Sequence, residues 1–394
     1  MAAELIISVL PGEIRAAVRR DDRLEDLVIL RDGAPGQDVP VQAGDRFLAK
    51  VQRFDKGLDG AFVDLGLARP GLLPRREAPD GIPPEGGALA VKVLRVPAAD
   101  KGARVSARGV AAEPAQLKGL KAPARLPSGT GPLQALLLGA APQRVVVDDA
   151  AVLQALKAGG QAADFTLYGD ARPLFEAEGL EEEIQALLAP RAGLPGGGFL
   201  LIEPGQTLTA IDVNAGRSEG RGGPAAQARA VNLAAVPEIA RQLRLRALSG
   251  LIVVDFLEMK SADDRKAVAA ALREALAGDP EPCQVFGLSP SGLLEMTRRR
   301  GHRPLHELLC RPCGFAGSGR EKTPETLAYE ALRHTASEAF GKVVTTITLR
   351  VEPATAAALA GPQAAALAAV ERRLGRSIAV EADPLVAGHA LVLG

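Results

Sequence analysis

Two apolar, β-prone runs with a helical stretch between them constrain the fold of this chain more than any other feature. The first run, residues 209–213, lies in "TLTAIDVNAGRSEG", and the second, residues 251–254, lies in "GLIVVDFLEM". Between them come a Gly-rich loop and a helical stretch to Leu248, with a bend or break expected at Pro237. Strand, helix and strand in this order make a βαβ unit, so the two strands should be parallel. The second run is apolar throughout, which is typical of a strand covered on both faces.

Polar residues stand at the ends of both runs. Asp212 and Asn214 are two positions apart, so they share one face of the first strand. A buried carboxylate without a partner is costly, and we therefore expect Asp212 to be compensated or used. The parallel topology can bring the two strand ends together and place Asp255 near Asp212.

Two neighbouring carboxylates make an oxygen site that suits Mg²⁺, which typically takes one or two protein carboxylates and keeps several waters. Such an ion can polarise a phosphoryl oxygen and activate water for hydrolysis. Asn214 could then hydrogen-bond Asp212 and fix its orientation. The alternative interpretation is that each aspartate caps a turn or a helix at the end of its strand.

Residues 44–109 predict a small antiparallel barrel, because short β-prone stretches alternate with Gly turns. The block carries twelve Lys or Arg against eight Asp or Glu, a net charge of +4, whereas the whole chain is neutral. The chain has no Trp and two Tyr, so base stacking would fall to Phe, here Phe54 and Phe62. Cations that track phosphates and rings that stack on bases suit single-stranded nucleic acid. The alternative is a solvated barrel surface with Phe in the core.

A second basic cluster, residues 296–322, holds seven Lys or Arg against two acidic residues. It includes the consecutive Arg298, Arg299 and Arg300, which could bind phosphate or form a solvated helix face. The cluster leads into a CxxC motif formed by Cys310 and Cys313.

One CxxC supplies two ligands, whereas structural zinc takes four. His306, with His302 as a further candidate, could complete the set within one chain, or a second chain could supply its own pair across a twofold axis. Free thiols are the third alternative. Three cysteines fit a reducing compartment, and Cys283 is expected to be a small core residue.

No apolar run near the start approaches the roughly 18–20 residues that a membrane span needs, and no signal peptide is recognisable. We therefore expect a cytoplasmic protein that does not associate with a membrane.

Several motifs match one family in order and spacing: "LTAIDVNAGRSEG", "NLAAVPEIARQLRLRALSGLIVVDF", "GLLEMTRRR" and the CxxC with its following Gly-x-Gly. Together they resemble the catalytic half of the ribonuclease E/G family of bacterial endoribonucleases. The resemblance implies an α/β multidomain protein with these parts: an RNase H-like subdomain (1–40 and 141–200), an inserted OB-fold barrel that binds RNA (41–109), a short linker (110–140), a DNase I-like α/β catalytic domain (201–300), a CxxC zinc link (301–322) and a small α+β C-terminal domain (323–394).

The resemblance also implies roles for individual residues. Asp212 and Asp255 would hold a catalytic Mg²⁺, and Asn214 would orient Asp212. Cys310 and Cys313 would share one structural Zn²⁺ between two protomers, which favours a homodimer and leaves higher assemblies open. Contacts with RNA are expected from Phe54, Phe62, Lys50, Arg53, Lys56, Arg298 and Arg300.

This sequence departs from the family's pattern in two places. Residues 110–140 are too short for the 5′-end sensor subdomain that normally lies between the barrel and the RNase H-like segment. Pro290 and Ser291 replace the Arg-Phe pair that usually precedes "GLLEM". Both changes bear on substrate affinity and on preference for a 5′-monophosphate, and neither touches the metal ligands.

The sequence thus predicts a magnesium-dependent endoribonuclease of RNA processing and decay that cleaves single-stranded RNA to 5′-phosphate and 3′-hydroxyl products. The competing hypothesis is an RNA-binding protein of the same fold that has lost catalysis. A nuclease acting on DNA is a third hypothesis, since no residue identifiable in the sequence reads the 2′-hydroxyl.

Overall fold

The structure is a computed structural model that describes residues 3–31, 41, 43–97, 101–110, 120–126, 132–170, 172–216, 223–312, 319–342 and 344–394. The chain forms two compact units. Unit 1 comprises Met1–Gly36, Pro132–Leu188 and Leu305–Gly394, and unit 2 comprises Gln37–Gly131 and Ala189–Pro304.

The strands, in chain order, are β1 (Ala3–Leu10), β2 (Glu13–Arg20), β3 (Arg23–Arg31), β4 (Arg46–Asp55), β5 (Gly60–Asp64), β6 (Gly71–Pro74), β7 (Ala88–Arg95), β8 (Arg104–Ser106), β9 (Ala124–Leu126), β10 (Arg144–Val147), β11 (Asp164–Leu167), β12 (Arg191–Gly193), β13 (Phe199–Pro204), β14 (Leu208–Asn214), β15 (Gly250–Asp255), β16 (Cys283–Leu288), β17 (Leu293–Arg298), β18 (Cys310–Pro312), β19 (Arg320–Lys322), β20 (Ile347–Val351), β21 (Ala379–Ala382) and β22 (His389–Leu393). The helices are α1 (Pro132–Ala140), α2 (Ala150–Lys157), α3 (Leu174–Ala177), α4 (Leu180–Leu188), α5 (Pro224–Leu245), α6 (Ala262–Ala275), α7 (Leu305–Leu309), α8 (Pro324–Ala339), α9 (Pro353–Ala360) and α10 (Ala364–Leu374), with a short 3₁₀ turn at Arg75–Glu77.

Unit 1 is built on a five-stranded sheet in the order β11-β10-β1-β2-β3. β1, β2 and β3 are antiparallel neighbours, whereas β10 and β11 run parallel to β1. Apolar side chains from β1, β2 and β10 form a core with Leu137 of α1 and with Leu153 and Leu156 of α2.

A buried ion cluster connects this sheet to the C-terminal part of unit 1. The carboxylate of Glu13 is fully buried and pairs with Arg15 at 2.9 Å, Arg31 at 2.6 Å and Arg333 of α8 at 2.8 Å. Burial alone would raise the pKa of Glu13, but these guanidinium groups together hold it well below its usual value. Through this cluster α8 packs into the same compact unit as β2, and the domain boundary at residue 323 stays a prediction.

The C-terminal part of unit 1 is a three-stranded sheet, β21-β20-β22, which shares a core with α8, α9 and α10. Among the described residues no single helix is long and apolar enough to cross a membrane, whereas α9 and α10, bent by 79° at their junction, reach that length and composition as a pair. Leu359 of α9 and Ala366 and Val370 of α10 are buried in this core.

The basic block of unit 2 folds into a closed five-stranded barrel. The wall runs β4-β5-β6-β8-β7 and closes by pairing of β7 with β4. Part of the segment predicted as linker also joins the sheet, because β9 pairs with the first residues of β4. The Arg125 side chain of β9 contacts the buried Asp45 carboxylate at 2.6 Å.

The second part of unit 2 is a six-stranded sheet in the order β12-β13-β14-β15-β17-β16. As the βαβ pattern predicts, β14 and β15 are parallel neighbours, and the other pairs are antiparallel. Helix α5 connects β14 to β15 and runs unbroken through Pro237, where the sequence suggests a bend or break.

Only one face of this sheet is covered by the helices of unit 2. Ile211, Val213, Ile252 and Val254 form a common core with α5 and α6. On the opposite face Leu251 is 41% exposed, so the prediction that β15 is covered on both sides is wrong. We call this second surface, with alternate residues of β13, β14, β15 and β17, the open face.

Candidate active site and nucleic-acid surface

The two aspartates predicted to act together lie directly opposite each other. Asp212 near the end of β14 and Asp255 at the end of β15 are Cα partners in the parallel ladder. Neighbouring strands lie about 4.8 Å apart, so the two carboxylates are within reach of one cation. Both side chains are exposed, because the alternation that buries Ile211 and Val254 turns the aspartates to the open face. The expected cost of a buried carboxylate therefore does not arise.

Asn214 lies on the same side of β14 as Asp212. Its Nδ2 atom donates a hydrogen bond to Oδ2 of Asp212 at 2.7 Å, as the two-residue spacing predicts. This bond restricts the rotation of the carboxylate. Among the described residues no such bond holds the side chain of Asp255.

The cross-strand neighbours of the aspartates do not neutralise them. Leu201 of β13 is the partner of Asp212, and Leu293 of β17 is the partner of Asp255. Like charges directly opposite on adjacent strands are destabilising. A cation bound between the two carboxylates would offset this repulsion.

This donor set fits magnesium better than a transition metal. Within the described part of the chain no group of three or more His, Cys, Asp or Glu side chains is placed to hold a metal. Magnesium commonly binds through one or two carboxylates, with water and substrate phosphate oxygens as the other ligands. Two exposed carboxylates on paired positions fit that number of protein ligands.

Two further carboxylates extend the acidic character of the open face. Glu203 of β13 and Glu295 of β17 are exposed and belong to the adjacent cross-strand row, opposite Ala210 and Val253. Their positions on this face depend on strand register, so the sequence alone does not predict them. These two glutamates lie on the open face but are not part of the aspartate pair.

The barrel presents a row of side chains suited to a nucleic-acid strand. Arg53 of β4 lies opposite Phe62 of β5, and its guanidinium group is 4.2 Å from the centre of the Phe62 ring. The ladders continue this row through Leu72 of β6 and Arg104 of β8 to Arg95 of β7. We call these five residues the barrel row. It combines cations for phosphates with a ring for base stacking.

The other predicted barrel residues lie outside this row. Phe54 is 38% exposed, but its partner is the buried Ala61, so it belongs to the other side of the barrel wall. Lys50 is exposed opposite Asp64, and Lys56 is exposed in the turn after β4. Leu72, Arg95 and Arg104 are not predicted from the sequence, because only the strand register aligns them with Phe62.

Arg298 corrects one prediction. It is 5% exposed, and its guanidinium group makes two hydrogen bonds to the Asp279 carboxylate, at 2.9 and 2.8 Å. A third hydrogen bond goes to the carbonyl oxygen of Leu248 at 3.0 Å. Strand alternation turns Arg298 to the helix-covered face with Leu294 and Met296, where it cannot contact RNA.

The residues near Arg298 differ in their surroundings. Arg299 is half-buried and pairs with Glu281 at 2.9 Å, and Arg300 is half-buried. His302 is largely buried, which lowers its pKa.

Only part of the predicted zinc site is described. Cys310 begins β18, where it is the partner of Lys322 of β19, and burial raises the pKa of its thiol. Cys313 lies outside the described residues. His306 is half-buried in α7. Cys283 is half-buried and packs against the core of the six-stranded sheet, close to its expected role.

Part of the chain is similar in sequence to known proteins. Residues 134–301 match the Ribonuclease E/G family. The chain is 36% identical over 219 residues to Ribonuclease G of Salmonella typhimurium (strain SL1344), covering 55% of this chain and 45% of that protein. It is 38% identical over 168 residues to Ribonuclease G of Haemophilus influenzae, covering 42% of this chain and 34% of that protein. For Ribonuclease E of Nostoc sp. the identity is 37% over 193 residues, covering 46% and 28%.

The chain spans less than half the length of these curated relatives. The matched segment nevertheless contains the aspartate pair, Asn214 and the six-stranded sheet that carries them. Over residues 134–301 this chain is thus similar in sequence to the ribonuclease E/G family.

Proposed function

We propose that this chain is a magnesium-dependent endoribonuclease that hydrolyses single-stranded RNA to 5′-phosphate and 3′-hydroxyl products. The observation that carries the proposal is the pairing of Asp212 with Asp255 across adjacent parallel strands on the open face. This pair lies within the segment that matches the Ribonuclease E/G family. Relatives named Ribonuclease G and Ribonuclease E support the same class of reaction.

The residues of the open face have separate roles in binding the metal ion and in orienting its ligands. Asp212 and Asp255 would hold Mg²⁺, which when bound supplies a Lewis acid for the phosphodiester and lowers the pKa of water. Asn214 holds the Asp212 carboxylate in one orientation through its 2.7 Å hydrogen bond. Leu201 and Leu293 flank the pair without adding charge, so the carboxylates keep their affinity for a cation.

The barrel row would hold the RNA strand. Arg53, Arg104 and Arg95 offer cations to successive phosphates, and Phe62 offers a ring face to a base. This mode of binding tolerates different sequences, because every base has a face that can stack. Phe54, Lys50, Lys56 and Arg300 are proposed as peripheral contacts.

We also propose that Cys310 and Cys313 share one Zn²⁺ with the same pair of a second copy. The support is the CxxC spacing, which gives two thiolates where structural zinc takes four ligands. Cys310→Ser should lower bound zinc and convert dimer to monomer, measured by metal analysis and light scattering. Cys283→Ser is the matched control and should change neither, since Cys283 packs against the core of the six-stranded sheet.

The test of the proposed function uses one short single-stranded RNA prepared with either a 5′-monophosphate or a 5′-hydroxyl. Magnesium-dependent cleavage, abolished by a chelator, with 5′-phosphate and 3′-hydroxyl product ends is the expected result. We expect similar rates for both substrates, because residues 110–140 offer little room for a 5′-end sensor.

The outcomes separate the competing functions. Binding of the RNA without cleavage at any magnesium concentration, by folded protein, would favour the RNA-binding protein. Equal cleavage of the corresponding single-stranded DNA would favour the DNA nuclease.

A further inference from the structure

The loop after Asp255 determines where that aspartate points. β15 ends at Asp255, and residues 256–260 lead to α6, whose first turn is capped by Ser261. Phe256 and Met259 of the loop are buried in the core, whereas Glu258 is exposed. Because no described side chain hydrogen-bonds the Asp255 carboxylate, its position depends on the backbone at this strand end.

A single buried amide side chain holds that backbone. Asn232 of α5 has no exposed surface. Its Oδ1 atom accepts a hydrogen bond from the Leu257 N–H at 3.0 Å, and its Nδ2 atom donates to the Leu257 carbonyl oxygen at 2.8 Å. One side chain thus satisfies both polar groups of a backbone residue two positions beyond Asp255.

The geometry requires a side chain with one donor and one acceptor at this reach. Aspartate would keep the acceptor and lose the donor, and leucine has a similar volume but makes neither bond. Arg265 of α6 supports the loop at its other end, through a hydrogen bond from Nη1 to the Met259 carbonyl oxygen at 2.8 Å. The path of the loop is therefore set by side chains of both helices that cover the sheet.

The two aspartates are held by different means. Asp212 is oriented directly by the side chain of Asn214, whereas Asp255 is oriented through its backbone. We propose that Asn232 is a positioning residue that sets the distance between the Asp255 and Asp212 carboxylates, and hence the affinity of the pair for a divalent cation. This proposal rests on the proposed magnesium site.

The test compares Asn232→Leu with Gln242→Ala. Gln242 is a matched control, since it is a buried amide of the same helix that bonds Glu238 and Arg246. It lies ten positions further along α5, about 15 Å away at 1.5 Å per residue. Binding of Mn²⁺ to each protein without RNA is measured by electron paramagnetic resonance, and the magnesium concentration for half-maximal RNA cleavage is measured separately.

Asn232→Leu should weaken both metal constants by about tenfold or more, as is common when a group that supports a metal ligand is lost. Gln242→Ala should leave both constants within about twofold of their wild-type values, even where the variant is thermally less stable than the wild type. If Asn232→Leu fails to fold, Asn232→Ser, which creates no overpacking, decides the question.

Unchanged metal constants in a folded Asn232 variant, with normal metal binding by the wild type, would overturn this proposal alone. A wild type that binds no metal and cleaves no RNA would instead refute the proposed function, and the positioning role with it. Equal weakening by the Asn232 and Gln242 variants would show a general effect of loosening α5 and would also contradict the proposal.

Discussion

Asp212 and Arg298 are both charged residues near the ends of strands in one six-stranded sheet, yet one side chain is exposed and the other is buried. Asp212 is exposed on the open face, opposite another carboxylate. Arg298 is buried on the helix-covered face, where Asp279 neutralises it. The difference follows from strand alternation. Successive side chains of a strand point to opposite faces of the sheet, so a shift of one position moves a charged side chain from solvent to the core. A charge is therefore a candidate for function only when its face is known.

The largest expected effect is on stability, and it compares the buried Arg298 with an exposed arginine of the barrel. Arg298→Ala leaves the fully buried Asp279 carboxylate without its cationic partner, and breaking a buried ion pair in this way costs about 3–5 kcal/mol. Arg53→Ala, in the exposed barrel row, should change the free energy of unfolding by about 0.5 kcal/mol or less. Urea denaturation measures both. A loss below about 1 kcal/mol for Arg298→Ala would contradict its structural role.

The next effect concerns RNA binding by the barrel. Removing one stacked ring costs about 1–3 kcal/mol per base, so Phe62→Ala should raise the Kd for a short single-stranded RNA about tenfold. Phe54→Ala should have a smaller effect, because Phe54 belongs to the other side of the barrel wall. Fluorescence anisotropy in a chelator, without cleavage, gives both constants. A larger effect of Phe54→Ala would place the RNA elsewhere on the barrel.

An effect of similar size is expected at Asn214. Its loss frees the Asp212 carboxylate to rotate without removing a metal ligand, so Asn214→Ala should lower the cleavage rate at limiting magnesium about tenfold. Excess magnesium should restore part of the rate. Glu203→Gln, on the same open face outside the pair, is the control and should keep the wild-type rate. An Asn214→Ala variant that cleaves normally at every magnesium concentration would show that Asn214 has no role in the site.

The core of the candidate site could be predicted from sequence because general pattern rules describe it. A βαβ unit requires parallel strands, so its strand ends meet, and a two-residue spacing places Asn214 beside Asp212. The closed barrel followed in the same way from its short strands and Gly turns.

Other features depend on contacts that the local sequence does not contain. The apolar run of β15 looks alike whether one or two layers cover it, so the exposure of Leu251 was not foreseen. The fate of Arg298 depends on Asp279, nineteen positions away. Asn232 gains its role only when α5 packs beside the loop after Asp255. The barrel row required the register of five strands.

The most direct measurement of the central claim is the rate of cleavage of single-stranded RNA across magnesium concentrations by wild type, Asp212→Asn, Asp255→Asn and Glu203→Gln. Each aspartate variant should lose about 100-fold or more in cleavage rate. A bound metal ion stabilises the transition state by several kcal/mol, and each loss of about 1.4 kcal/mol lowers the rate tenfold. Thermal stability should be unchanged or raised in both, because each substitution relieves repulsion between opposed carboxylates. Glu203→Gln should match the wild type. Two folded aspartate variants that still cleave at the wild-type rate would contradict the assignment of the open face as the catalytic surface.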